Sequence, residues 1–169
     1  MKRYIELFGI PNVWTLLIAC FPARVAYGMV GLSIFFKAEQ STDSVAFAGI
    51  AIGLNAAAGS FTAGIRGSIM DKYGQTWPLR IMVPTYAGMA FALNAVESKS
   101  WMLILGFVMG LSAPPINLSV RPLWKIVVPE DFLRTAYAMD TAIMSAAGVV
   151  GPVVATSLAL SSNPSLPLN

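Results

Sequence analysis

Long apolar stretches bounded by charged residues recur along the chain. Residues 45–65 and 100–120 each run 21 positions without Asp, Glu, Lys or Arg, and residues 141–160 run 20. A charge at the middle of a bilayer costs on the order of 3 kcal/mol even on lenient insertion scales, and about 20 apolar residues in a helix cross the hydrocarbon layer. These stretches therefore read as transmembrane helices. Two others are less clean. Residues 12–36 are long enough but contain Arg24, and residues 81–96 offer only 16 positions, extended by Leu79 and by Trp77 at an interface. The pattern predicts an all-α membrane protein, a bundle of about five spans at roughly 12–36, 45–65, 79–96, 100–120 and 136–160, in one helical domain over 1–169.

Between these spans the breakers are well placed. Gly9, Pro11 and Asn12 separate the apolar residues 5–8 from the first span and make them a short interfacial lead-in. Residues 161–164, Ser-Ser-Asn-Pro, read as a loop, and residues 165–169 start a segment that a sixth helix would continue. Small residues four apart, Gly49 with Gly53 and Gly106 with Gly110, allow helices to approach closely.

Composition agrees with the pattern. Hydrophobic residues make up 56% and charged residues 11%, against roughly 25% charged in soluble domains. The net charge of +3 forms no basic run or face, which excludes nucleic acid as a partner and leaves the lipid bilayer. With no histidine and with Cys20 as the one cysteine, no zinc-type cluster or internal disulfide framework can be built, and no metal or cofactor is expected. Nucleophile-elbow, phosphate-loop and dinucleotide patterns are missing, so the chain does not read as an enzyme.

Loop charge sets the orientation. With the amino terminus cytoplasmic, Lys2, Arg3, Arg66, Lys72, Arg80, Arg121, Lys125 and Arg134 fall inside and only Lys37 and Lys99 outside. That asymmetry predicts a multi-pass protein of the cell membrane with its amino terminus in the cytoplasm.

Polar groups within the spans are the candidates for a solute or proton pathway. Arg24 in the first span persists there only with a partner, water or an anionic ligand, or by snorkelling to the interface, and Pro22 offers a later start for its helix. Asp140, near the cytoplasmic end of the fifth span, can pair with Arg24 or take up a proton, which makes the proton a candidate coupling ion. Asn55 and Asn117 can bind a solute or bond across helices. Pro114 and Pro115 break the backbone ladder and free carbonyls, which suits a flexible or cavity-lining segment.

Between the second and third spans stand Gly67, Asp71, Lys72 and Gly74, a glycine, an acid four residues on, a base, and a second glycine three after the acid. Gly67 lets a helix end approach its neighbour, Asp71 is placed to cap or pair at a helix terminus, and Gly74 permits a tight turn. This segment resembles the cytoplasmic loop signature of the major facilitator superfamily, departing from it at Gln75 and Thr76, where basic residues are usual. Gly148, Gly151 and Pro152 are similar to the kinked glycine-proline motif of antiporter-type members, and the stretch from Arg121 to Asp140 resembles the fourth loop and fifth-span entry of bacterial members. The resemblance implies the amino-terminal, incomplete half of a twelve-span carrier, with alternating-access transport of a small solute and an Asp71–Arg121 ion pair on the gate side. The other reading is a non-transporting accessory membrane protein or the truncated remnant of a transporter.

Overall fold

A computed structural model describes residues 2–160; the loop expected at 161–164 and the segment after it lie outside the described residues. Among the described residues the regular structure is entirely helical. Helix α1 spans Lys2–Phe8, α2 Val13–Thr42, α3 Val45–Tyr73, α4 Thr76–Ala95, α5 Lys99–Ser112, α6 Ile116–Val127 and α7 Leu133–Ala159, with a 3₁₀ turn at Glu130–Phe132 before α7.

Four segments are long and apolar enough to cross a membrane: Val13–Thr42, Val45–Tyr73, Lys99–Val127 and Glu130–Ala159. Their outward positions are apolar too. Phe61 is 88% exposed and Ile126 81%, an arrangement that lipid satisfies and water does not. The chain is thus a multi-pass membrane protein. The stretch expected as a third span does form a helix, α4, but Pro78, Arg80, Pro84 and Asn94 dilute its apolar character, and it is not among those four.

Helices outrun the charge-free stretches that located them. The first span extends from 36 to Thr42 and the second from 65 to Tyr73, because charges near a helix end reach the interface without ending the helix. Pro22 does not start a helix, since α2 is continuous through it from Val13. The lead-in at residues 5–8 is part of α1, whose Leu7 is fully buried, so it is docked on the core and not merely interfacial; Asn12, at φ 68°, makes the turn into α2. The expected span at 100–120 is cut by Ala113, Pro114 and Pro115 into α5 and α6.

The described chain groups into two compact units, one of residues 2–28 and 116–151, the other of residues 29–115 and 152–160. In the first unit, Leu7, Val13 and Leu17 pack with Val120, Trp124, Val128 and Ala136. In the second, α3 and α4 pack on α5, around Ile34, Ala48, Ala51, Leu93, Met102 and Met109.

Candidate functional site

In the first unit, α2 presents Val13, Leu17, Cys20, Arg24 and Gly28 at helical spacing, and α7 answers with Ala136, Asp140, Ala147 and Gly151. Ala136, Ala147 and Gly151 are small and buried, which lets the two backbones come close. A Cβ at Gly151 would stand 2.9 Å from the carbonyl carbon of Gly28 and 2.9 Å from the carbonyl oxygen of Val25, so glycine is required there. At Gly148, by contrast, nothing among the described residues lies within 4 Å of such an atom. Of the glycine-proline motif, Gly151 is the close-packing element.

Arg24 and Asp140 occupy this seam. Arg24 is 4% exposed and Asp140 3%; Arg24 Nη2 donates to Asp140 Oδ1 at 2.7 Å, and Nη1 donates to the Asp140 backbone carbonyl at 3.3 Å. Arg24 lies about 16 Å along α2 from Val13 at 1.5 Å per residue, deep in a helix of spanning length. It does not snorkel; it pairs. Among the described residues, three buried polar atoms of this unit have no protein partner: Arg24 Nε, Asn117 Oδ1 on α6 and Trp124 Nε1 on α6. Trp124 is wholly buried, a residue that sequence reasoning passed over. Unsatisfied groups of this kind are where water or a polar ligand is accommodated.

The second unit uses its polar groups for packing. Asn55 Nδ2 donates to the Gly106 carbonyl at 2.8 Å, a cross-helix bond that ties α3 to α5. Arg66, expected in a cytoplasmic loop, is instead buried within α3 at 7% exposure. Its guanidinium donates to the carbonyls of Gly110, at 3.3 Å, and of Ala113, and to the Gly59 carbonyl at 2.5 Å. Thr62 Oγ1 donates to the Leu111 carbonyl at 3.3 Å. The carbonyls freed where the Pro114–Pro115 break ends α5 are thereby taken up by a cation at the negative end of the helix dipole. The break is plugged. Replacing Arg66 by methionine is expected to destabilise the chain by about 1–3 kcal/mol through those stranded carbonyls, read as a lowered midpoint of denaturant unfolding in detergent micelles. An unchanged midpoint would mean that water serves the break as well as Arg66 does.

The 67–75 segment is helical to Tyr73. Gly74, at φ 74°, ends α3 in a conformation that glycine alone adopts readily, as the expected tight turn requires. Two parts of the expectation fail. No atom lies within 4 Å of a Cβ built at Gly67, so that glycine serves no close approach among the described residues. Asp71 falls in the last turn of α3, where the dipole is negative and a carboxylate caps nothing. Lys72 lies 5.3 Å over the Tyr73 ring. Asp71, in the second unit, and Arg121, in the first, are both exposed.

The chain is similar to an uncharacterised MFS-type transporter, y4rN, of Sinorhizobium fredii, at 29% identity over 163 residues. The match covers 92% of this chain, and the chain spans 40% of the length of that relative. No family model matches the chain, and no solved structure matches it. With four helical segments long and apolar enough to cross a membrane, this similarity fits a partial protein like those of the major facilitator superfamily.

Proposed function

We propose that the chain is the amino-terminal portion of a secondary active transporter that moves a small solute by alternating access, with its amino terminus in the cytoplasm of a bacterial cell and the proton as coupling ion. The observation that carries this reading is the buried Arg24–Asp140 pair in a seam of apolar and small residues. Ionisable groups at such depth are costly, and a buried ion pair adds little net stability over apolar side chains of the same volume. Its use is as a switch. A proton on Asp140, or an anionic solute group at Arg24, removes the reason for the two side chains to stay together, and each arrangement of the seam then has its own preferred ligand. Asn117 Oδ1 and Arg24 Nε, buried and unpartnered, are the groups nearest to hand for a polar solute.

The test is flux. The whole reading frame that contains this chain is reconstituted in proteoliposomes and offered a panel of labelled sugars, amino acids and organic anions, with and without an imposed pH gradient. Uptake that the gradient drives and Asp140→Asn abolishes is the expected result. Absence of flux across the panel, with the protein inserted and folded, would favour the accessory or remnant reading instead.

A further inference from the structure

We propose that the recess between α6 and the first turns of α7 binds a phosphate-type oxyanion at the membrane boundary. The recess has a volume of about 390 Å³ and is lined by Arg121, Pro122, Lys125 and Tyr137, all of the first unit. Arg121 and Lys125 stand four residues apart, on one face of α6, and neither makes a hydrogen bond or ion pair among the described residues. Like charges at this spacing repel, and among the described residues no acid lines the recess to offset them: Glu130 and Asp131 lie on the connecting turn outside it. Two cations and a phenol offer charge and O–H donation to one anion.

The position selects the kind of anion. Lys125 is two residues from the end of α6 at Val127, and Tyr137 is one turn into α7, so the recess opens where α6 ends and α7 begins. Lysine and tyrosine favour this level of a bilayer, where headgroup phosphates are also found. Ile126, 81% exposed, and Leu118, 56% exposed, stand on the same helix and suit acyl chains. A phosphate carried by an anionic lipid and a phosphate carried by a free solute share the chemistry that the recess recognises. The site is independent of whether the chain transports.

The test uses the full chain in nanodiscs of phosphatidylcholine with a rising fraction of phosphatidylglycerol, and in parallel in phosphatidylcholine alone with millimolar inorganic phosphate, following thermal unfolding. The unfolding temperature is expected to rise with phosphatidylglycerol, and the apparent affinity to fall roughly 10- to 30-fold in Arg121→Gln/Lys125→Gln. The rise is also expected to shrink with added sodium chloride. A rise with inorganic phosphate but not with phosphatidylglycerol, lost in the same variant, supports the oxyanion site and assigns it to a soluble ligand. No rise in either arm, or an equal rise in wild type and variant, overturns the proposal. Should the double variant lose helicity by circular dichroism, Lys125→Gln alone is read; roughly fivefold weakening supports the site and none overturns it.

Discussion

Replacing Asp140 by alanine is expected to destabilise the folded chain by about 3–5 kcal/mol, because it strands the Arg24 guanidinium in an apolar seam. The loss belongs to the unpaired charge more than to the 2.7 Å bond, and a second substitution separates the two. Arg24→Met with Asp140→Leu removes both charges and keeps comparable volume. That double variant is expected to unfold at or above the wild-type midpoint, as apolar replacements of buried ion pairs do elsewhere. A double-mutant cycle on denaturant unfolding in micelles then gives a coupling energy well above the modest values of exposed pairs. If Asp140→Ala costs under about 1 kcal/mol, water reaches Arg24 and the seam is not dry. The double variant also bears on function. In the whole reading frame, a stable protein without gradient-driven uptake would support the proposed switching role of the pair as distinct from any role in holding α2 on α7.

Legibility in the sequence depends on the range of each interaction. The helices were legible, because a charge-free stretch of 20 residues has few alternatives to a span. Their ends were less so. A scan that stops at the first charge stops at Ile65, while α3 continues through Arg66, Asp71 and Lys72 to the glycine at 74, whose backbone conformation is the actual terminator. Gly74 was readable as a turn residue for the same local reason.

The long-range pairings were not readable. Arg24 and Asp140 are separated by 116 positions, and the sequence offered their pairing as one of several outcomes. Loop-charge counting places Arg66 in a loop, because arginine seldom enters a span. Its partners are backbone carbonyls, which leave no trace in residue identity. One signal did exist: Pro114 and Pro115 guarantee unsatisfied carbonyls at the end of α5, and something must donate to them. Charge counting therefore needs a correction for cations that are spent on helix ends.

The glycine pairs show most sharply where sequence runs out, and they carry the second large effect. Gly106 and Gly110 on α5 repeat the spacing of Gly49 and Gly53 on α3, and nothing local tells the two apart. Their surroundings do. A Cβ at Gly110 would fall on the Asn55 carbonyl oxygen, far inside contact distance, and 2.9 Å from the Ala58 Cβ, whereas nothing among the described residues stands within 4 Å of one at Gly53. Backbone cannot yield as a side-chain tip can, so Gly110→Ala must push α5 off α3. The same shift would loosen the Asn55 bond to Gly106 and the Arg66 bond to the Gly110 carbonyl itself. Gly110→Ala is expected to destabilise the chain by about 3 kcal/mol, the upper end for overpacking, with the bonds it disturbs adding to the clash. Gly53→Ala, in open surroundings within the helix, is expected to stabilise by up to about 1 kcal/mol through helix propensity. Unfolding midpoints of the two variants, measured side by side in one detergent, are thus expected to move in opposite directions, and a shift of the same sign in both would contradict the close packing of α5 on α3.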